Sequence, residues 1–540
     1  MKNLWQALMM VRRCDRWSFR RRVLYVLLQS LLPLVNLYVL KLLIDTISAG
    51  VAGQTDAMAF LPYLLVMVAV FLLNRIVAAL NRINNDVLSQ RLIDYMSDIM
   101  QRQAARLDLC YYDTPSYHDT FHRAQQEAGM RPIQVLDNFM SVGGALVSII
   151  AVVAMLVTAS WWVVVVMIVA VLPGFFVRLY KAHSIYAFRR SNTQAYRRTS
   201  YYAHLLTSRE AAKEMRTYRL APHFRRLFVE LRAQLVGRLL HISRRLGMAD
   251  ILCAVVEAVA MLSIVYLLAR QAFVGAITIG SFVMLFEAFR RGQGYMTSLV
   301  AGVAALYDSR LFVSNLFEFL RLEPTVLAPE EPLSMPEEVA TVEFRDITFR
   351  YPDMQRDVLS HYNLTAKVGE VTRIAGENGF GKSTLVKLLL RLYDPQQGAV
   401  LLNGTDIRRY RPDELRSRMG VLFQDFMRYN CTLRDNIAFG DIDNPAASVD
   451  RALQQAGVDA IVGPLPKGID TELGRMFDGG QELSMGQWQR LALARALQSD
   501  APILLLDEPV AWIDIAARQQ FYDTLEQLKT NKIIILITHT

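Results

Sequence analysis

The chain has 540 residues, a formal net charge of +9 at pH 7 and 53% hydrophobic residues. Its mean hydropathy of +0.22 is too high for an ordinary soluble enzyme, and its length allows about two to four domains. The positive charge could suggest nucleic acid, but the basic residues flank the apolar runs described next, so no nucleic-acid partner is predicted. The four cysteines are scattered and form no close pair for a metal or redox site.

Six apolar runs occupy the first 310 residues, and most reach, with their flanks, the ~20 residues that a spanning helix needs. They begin at Val23, Phe60, Ala145, Trp161, Ile251 and Gly280. A buried soluble core could explain any one run but poorly explains six in series. The last run is the weakest, because Glu287, Arg290 and Arg291 interrupt it. The sequence therefore predicts an all-α transmembrane domain of six spanning helices over residues 1–310.

The distribution of basic residues predicts the orientation of these spans. No Lys or Arg occurs between Lys41 and Arg75 or between Arg131 and Arg178, so the turns after the first and third spans should lie outside. The segments after the second and fourth spans are basic, and their apolar positions recur at helical spacing, so those helices should continue into the cytoplasm. We expect a multi-pass protein of the plasma (inner) membrane with both termini cytoplasmic. No cleavage site follows the N-terminal basic cluster, so the first span should remain as an anchor.

A change of composition predicts the boundary between two domains. Residues 311–338 are predicted to form a linker, because their second part is acidic and rich in proline. After it, "ATVEFRDITFRY" alternates apolar and polar residues as a half-buried strand does. Residues 339–540 are therefore predicted to form a second, α/β domain.

The segment "GENGFGKST" from Gly376 matches the phosphate-loop pattern G-x-x-x-x-G-K-[ST]. In such loops backbone N–H groups surround the phosphates, which requires residues without bulky side chains on the inner curve. Lys382 would reach the outer phosphates and Ser383 would offer a hydroxyl to magnesium. A strand-like segment precedes the loop, and a helix predicted to begin near Thr384 follows it and points its positive N-terminus at the anion.

Another apolar strand, "ILLLDEP", ends in two acidic residues. Asp507 is placed to hold magnesium, and Glu508 to orient or deprotonate an attacking water. Four further short motifs surround this strand, and "FRYP" precedes the phosphate loop. They offer Tyr351 in "FRYP", Gln424 in "VLFQDF", Ser484, Gly486 and Gln487 in "LSMGQWQR", Asp514 in "AWID" and His539 in "ITHT".

These motifs, in this order, resemble the nucleotide-binding domain of ATP-binding cassette (ABC) transporters from Val342 to the C-terminus. The resemblance implies an α/β P-loop fold, ATP and Mg²⁺ as cofactors, and ATPase activity. It implies that Tyr351 stacks on adenine and that the loop residues bind phosphate, namely Gly376, Glu377, Asn378, Gly379, Gly381, Lys382, Ser383 and Thr384. Ser383, Gln424 and Asp507 would hold the metal, and Glu508, His539 and Gln424 would act in catalysis.

The resemblance also implies that one chain cannot complete its own site. Ser484, Gly486 and Gln487 match the family signature, which contacts ATP bound to the opposite subunit, and Asp514 matches the aspartate that communicates between the two sites. Six spans before one such domain are similar to an exporter-type half-transporter, most simply a homodimer, with a heterodimer as the other arrangement. Drug, lipid and peptide substrates occur in that family. Stretches beginning at Asp113 and Ser208 resemble its coupling helices.

Several positions depart from the family pattern. Phe380 stands where a small residue is usual, Met485 replaces the first glycine of the signature pair, and the chain stops at Thr540, where similar domains continue. A catalytically impaired subunit of a heterodimeric ABC exporter is therefore the alternative function. The six predicted spans argue against a third possibility, a cassette ATPase of DNA repair or translation. Glu257, in the fifth run, is either an acidic residue of the transport cavity or a partner of a neighbouring helix.

Overall fold

A computed structural model describes the chain except for residues 1, 55, 57, 115–130, 158–160, 353, 378–379, 445–448, 513–514 and 539–540. The chain forms two compact units. The first unit combines Met1–Ala105 with Thr120–Arg321, and the second combines Arg106–Asp119 with Leu322–Thr540.

The chain is helical up to the linker. In chain order the helices are α1 (Lys2–Cys14), α2 (Arg16–Val51), α3 (Leu61–Arg106), α4 (Leu109–Asp113), α5 (Arg131–Val157), α6 (Trp161–Ser191), α7 (Thr193–Thr207), α8 (Ala212–Thr217), α9 (Ala221–Phe273) and α10 (Ile279–Leu320). α3 has 46 residues and α9 has 53, about twice what a bilayer requires. The length of α3 agrees with a second span that continues beyond the membrane, whereas α6, which contains the fourth apolar run, has 31 residues and ends at Ser191.

Four helices, namely α2, α3, α5 and α9, are long and apolar enough to cross a membrane. In the most apolar window of α3 only 6% of the residues are buried, so its large apolar side chains face outward, as they do in lipid. The chain is therefore a multi-pass membrane protein. The runs from Trp161 and Gly280 lie in α6 and α10, which are not among these four helices within the described residues; Glu287, Arg290 and Arg291 interrupt the run in α10. That α6 and α10 span the membrane therefore stays a prediction.

The core of the first unit forms where α2, α5, α9 and α10 meet. Leu37, Val152, Ile264 and Phe289 are among its buried side chains. Close approach is visible at Gly280, where a Cβ would lie 2.3 Å from a carbonyl oxygen of α2 and where the backbone N–H donates to Asp45 at 2.9 Å. Small residues at such contacts let helices pack closely in a membrane.

The linker begins later than the sequence predicted. α10 continues to Leu320, so residues 311–320 are helical, because their apolar positions bury Val313, Leu316 and Phe319. Residues 322–340 contain neither helix nor strand, as the prolines predict. Asp108 accepts hydrogen bonds from the backbone N–H groups of Thr325 and Val326, the latter at 2.9 Å. The start of the linker is thus attached to the segment around α4.

The second unit is an α/β domain, and its strands form two sheets of different character. The strands are β1 (Thr341–Phe349), β2 (Leu359–Lys367), β3 (Val371–Ala375), β4 (Gln397–Leu402), β5 (Thr405–Asp406), β6 (Met419–Leu422), β7 (Ile503–Asp507) and β8 (Ile533–Thr538). The helices are α11 (Lys382–Leu389), α12 (Pro412–Ser417), α13 (Leu433–Ala438), α14 (Val449–Gln455), α15 (Asp459–Val462), α16 (Met485–Gln498) and α17 (Ile515–Leu528), with 3₁₀ turns at Ile407–Arg409 and Gly468–Asp470.

One sheet is antiparallel, in the order β2-β1-β4-β5, and the other is parallel, in the order β3-β8-β7-β6. β1 is half-buried, whereas every residue of β7 and β8 is buried, as in a parallel sheet covered on both faces. Ala375 pairs with Thr538, and Asp507 with Ile537, so these strands end at one edge of the sheet. Ligands of parallel α/β sheets bind at this carboxyl edge. The predicted order, a helical membrane region followed by an α/β domain, is confirmed.

Candidate functional site

The phosphate loop follows β3 at the carboxyl edge of the parallel sheet. Gly381 has φ +76° and caps α11, and a Cβ there would lie 2.9 Å from Leu359 and Val358, so both the backbone conformation and the space require glycine. α11 begins at Lys382, two residues earlier than predicted. The Lys382 side chain is buried, and its Nζ donates to the carbonyl oxygen of Gly376. The lysine amine therefore lies inside the curve of the loop, where a phosphate would bind.

Asp507 ends β7 beside this loop and is only 4% exposed. It accepts a hydrogen bond from the Ser383 hydroxyl, but among the described residues its Oδ1 has no hydrogen-bond partner. Burial raises the pKa of Asp507, and the nearby Glu508 carboxylate adds to this, while Ser383 and the Lys382 ammonium oppose it. A buried carboxylate with an unpaired oxygen beside a hydroxyl fits magnesium, which prefers oxygen ligands. Ser383, Asp507 and Gln424 would hold the ion.

Glu508 lies at a constrained turn after β7. Its φ is +49°, its backbone N–H donates to Ile537 at 3.1 Å, and its carboxylate accepts from Gln424 Nε2 at 3.0 Å. Gln489 of α16, only 3% exposed, donates through Nε2 to the Glu508 carbonyl at 2.8 Å. The same side chain accepts the Trp512 N–H at 2.9 Å. Gln489 thus holds both ends of the turn that carries the predicted catalytic carboxylate.

Gln489 was not among the residues predicted from the sequence. The available signal was a polar residue within "QWQRLALARAL", a helix whose other buried positions are almost all apolar. Buried polar side chains are nearly always hydrogen-bonded, so a glutamine on such a face indicates a specific partner. The sequence does not reveal that this partner is the turn at Glu508.

Tyr351 lies beside the phosphate loop, as its predicted role in adenine binding requires. Its hydroxyl is 3.1 Å from Thr384 Oγ1, and its ring packs edge-on against Phe349 with centroids 4.9 Å apart. Lys387 of α11 places its ammonium 5.2 Å from the centre of the Tyr351 ring. The aromatic side chain is therefore fixed to the first turns of the helix that follows the loop.

A second set of contacts connects Lys387 with α4, which belongs to the same unit. Lys387 Nζ lies 3.1 Å from Asp113 Oδ2, and the Tyr393 hydroxyl donates to the same oxygen at 2.6 Å. Burial and this bond raise the pKa of Tyr393, which keeps the phenol neutral. Asp113 begins the first predicted coupling stretch, whose residues from 115 onward lie outside the described residues. Sequence reasoning missed Lys387 and Tyr393.

The signature residues form the start of α16. Ser484 Oγ accepts from the Gln487 N–H at 3.3 Å and Gln487 Oε1 accepts from the Ser484 N–H at 2.8 Å, which is a reciprocal capping box. A Cβ at Gly486 would lie 2.5 Å from the Trp512 carbonyl oxygen, so glycine is required there. Ser484 and Met485 are exposed. The helix start is therefore fixed by its own cap, while its outer face is open.

The predicted site residues fall into three groups. The phosphate loop, Tyr351, Gln424, Asp507 and Glu508 come together at the sheet edge. The signature residues form a separate surface at α16, joined to the first group through Gln489. The residues that lie outside the described part of the chain are Asn378, Gly379, Asp514 and His539. The role of each individual residue stays a prediction.

Comparisons with known proteins agree with this site. The family described as "ABC transporter" matches residues 359–511. The subtilin transport ATP-binding protein SpaT of Bacillus subtilis is 26% identical over 546 residues, covering 100% of this chain and 88% of that protein. The ATP-dependent lipid A-core flippase of Xanthomonas oryzae pv. oryzae is 32% identical over 299 residues, 54% of this chain and 49% of the flippase.

A solved structure shows the same fold over nearly the whole chain. It is a bacterial Atm1-family ABC exporter with ATP bound, with a TM-score of 0.79 and 22% identity, and the match covers 97% of this chain and 92% of that one. ATP-binding domains of this family hydrolyse ATP to drive transport. With the phosphate loop at the sheet edge and the apolar helices before it, these similarities show an ABC transporter domain at residues 359–511 and support an exporter-type half-transporter.

Proposed function

We propose that two such chains form an ATP-driven exporter that moves an amphipathic substrate outward by alternating access. The observation that carries this proposal is the separation of the two predicted ATP surfaces. The phosphate loop, with Asp507 and Glu508, is built at the sheet edge, whereas Ser484 lies exposed at the start of α16. A signature that contacts ATP on another subunit needs such an open face.

The hydrolytic step follows from the side chains at the sheet edge. Lys382 binds the outer phosphates, with the N-terminus of α11 beside it. Ser383, Gln424 and Asp507 would hold Mg²⁺, which would supply positive charge to the phosphate oxygens. Glu508 orients and deprotonates the attacking water. His539 is proposed to contact the γ-phosphate, and Asp514 to link the two sites of the dimer.

Dimer closure would be transmitted to the membrane helices through the cytoplasmic segments. Asp113 contacts Lys387, which in turn lies over the Tyr351 ring, so the adenine side of the site is in contact with α4. The second predicted coupling stretch, from Ser208, contains the short helix α8. With both termini cytoplasmic in the inner membrane, closure opens the cavity outward. A homodimer is the simplest form of this assembly.

The proposed cargo is an amphipathic peptide or lipid. The names of the two relatives, a subtilin transport protein and a lipid A-core flippase, support these classes. Glu257 is proposed to meet a cationic part of the cargo. Its Oε1 lies 3.2 Å from where a Cβ on Gly174 would stand, so this carboxylate packs closely against α6 at that glycine.

The second candidate function is that of an impaired subunit in a heterodimer. Phe380 and Met485 are 68% and 42% exposed, so both enlarged side chains lie on open surface near the predicted ATP faces. Against impairment, Lys382, Asp507 and Glu508 are all present at the sheet edge, where the proposed hydrolysis would need them. We therefore favour an active homodimer.

The test is ATP hydrolysis by the purified full chain in nanodiscs, with its oligomeric state measured on the same sample. We expect a dimer whose activity falls at least about 100-fold in Glu508→Gln, because the general base is lost. Glu526→Gln, an exposed change on α17, is the matched control and should keep full activity. An inactive but folded dimer would favour the impaired-subunit function, and full activity in a monomer would exclude the shared site.

A further inference from the structure

A cavity lined in part by polar side chains lies among α2, α5 and α10 of the membrane unit. Its volume is about 330 Å³, and an ion pair and several hydroxyl groups line it. The pair joins Arg22 of α2 to Asp137 of α5, with Nη2 and Oδ1 2.6 Å apart. Ser148 lines it from α5, and Tyr295 and Ser298 from α10. No motif found in the sequence uses these residues.

Arg22 is buried but only partly satisfied. The residue is 8% exposed, and among the described residues its Nε has no hydrogen-bond partner. An unsatisfied charged donor is unfavourable at the edge of a bilayer unless a ligand completes it. Asp137, by contrast, keeps 41% of its side chain exposed. The ion pair therefore combines an incompletely hydrogen-bonded guanidinium with an accessible carboxylate.

The serine hydroxyls present mainly oxygen lone pairs. Ser30 donates to the Val26 carbonyl at 2.8 Å, Ser148 to the Ser30 carbonyl at 3.2 Å and Ser298 to the Gly294 carbonyl at 3.0 Å. Since each proton is used by the backbone, these oxygens can accept hydrogen bonds from a ligand. The wall thus matches a group in which an anion stands next to a hydrogen-bond donor.

The position and size of the cavity favour a lipid head group. Arg22 directly precedes the first apolar run, and the lining continues to Ser30, about 12 Å further along α2 at 1.5 Å per residue. The volume corresponds to roughly ten water molecules, enough for a head group but not for a folded peptide. On other faces of α2, Leu27 and Leu31 are 40% and 43% exposed, as apolar side chains in contact with lipid are.

We propose that this cavity binds the head group of a zwitterionic phospholipid. The phosphate accepts a hydrogen bond from the Arg22 guanidinium, and the ammonium donates to Asp137 and to the serine oxygens. The proposal concerns binding alone, so it does not require that the lipid be transported or that the chain hydrolyse ATP.

The test is native mass spectrometry of the full chain in detergent, titrated with phosphatidylethanolamine and, in parallel, phosphatidylglycerol, which has the phosphate but no ammonium. We expect tighter binding of phosphatidylethanolamine, about ten-fold weaker binding in Arg22→Gln, and loss of the preference between the two lipids in Asp137→Asn. Asp250→Asn is the matched control, because it breaks the Lys181–Asp250 pair between α6 and α9 outside the cavity. It should bind as the native chain does.

A purely structural ion pair is distinguished by a variant that leaves the pair intact. Ser298→Leu fills the cavity from α10, and it should abolish lipid binding while the thermal unfolding temperature stays near that of the native chain. Equal binding of both lipids, undiminished binding in Ser298→Leu, or binding only of an amphipathic peptide would overturn the proposal. Glu508→Gln should bind the lipid normally, which separates this result from failure of the transport function.

Discussion

The two units of the chain place their polar residues by opposite rules. In the α/β unit large apolar side chains such as Leu505 are buried, and the polar residues of the site lie at strand ends. In the membrane unit Leu65, Ile150 and Leu262 are 62%, 68% and 70% exposed, whereas Arg22 and Ser148 are buried. Lipid accepts apolar side chains but no unpaired polar group, so here the interior is where polar chemistry can occur.

The largest expected effect concerns the buried carboxylate of the α/β unit. Asp507→Asn should lower ATP hydrolysis by at least about 1,000-fold, since it removes a charged magnesium ligand. The same change should stabilise the protein without nucleotide by about 1 kcal/mol at pH 7, because an unpaired buried charge is neutralised. Hydrolysis assays and thermal unfolding of the two proteins measure both effects.

The pH dependence gives this prediction a second readout. The pKa of Asp507 is raised in the folded state, so its charged form opposes folding at neutral pH. The native chain without Mg²⁺ should therefore become more stable relative to Asp507→Asn as the pH falls through the raised pKa. A difference in unfolding temperature between the native chain and Asp507→Asn that stays constant over that pH range would show that Asp507 is not desolvated.

The outward orientation of apolar side chains in the membrane unit is tested by two alanine substitutions two residues apart on α9. Ile264→Ala, at a position 1% exposed, should destabilise the protein by about 2–4 kcal/mol, because it leaves a cavity in the core. Leu262→Ala, at a position 70% exposed, should change stability by less than about 1 kcal/mol. Unfolding in detergent measures both, and equal effects would mean that α9 has no outward face.

Within the α/β unit, Gln489 should act by positioning the turn of Glu508 rather than by binding nucleotide. Gln489→Ala removes both hydrogen bonds to the turn of Glu508, and we expect kcat to fall about ten-fold with KM nearly unchanged. Gln519→Ala, which removes an exposed bond on α17, is the control. A rise in KM at unchanged kcat would instead assign Gln489 to nucleotide binding.

The smallest expected effect is at the contact between α4 and α11. A double-mutant cycle of Asp113→Asn and Lys387→Gln should give a coupling energy of about 0.5–1 kcal/mol, because the pair is partly exposed. Hydrolysis stimulated by substrate is the readout, with thermal unfolding measured alongside. Strictly additive effects would show that the ion pair transmits nothing.

The sequence predicts the nucleotide site well because its residues follow one another in short motifs. A phosphate loop needs glycine, lysine and serine at fixed spacing, so Gly381, Lys382 and Ser383 are recognisable without a structure. β7 is likewise recognisable because it is a continuous apolar run that ends in Asp507 and Glu508.

Residues that act through distant contacts are not predictable in this way. Asp113 and Tyr393 are 280 positions apart, and Arg22 and Asp137 are 115 apart, so no local pattern connects them. Gln489 was likewise not predicted, because it lies within an ordinary helical pattern that does not indicate its partner. The helical end of the predicted linker was missed because its acidic, proline-rich part begins only after Leu320, while the apolar repeat continues up to it.

The attachment of Asp108 to Thr325 and Val326 has a consequence for how the chain can be divided. The boundary between the units is crossed three times, at 105/106, 119/120 and 321/322. A gene fragment that begins at Leu322 therefore leaves out α4, and with it the acceptors of Thr325 and Tyr393. The α/β unit thus includes part of the polypeptide that precedes α5.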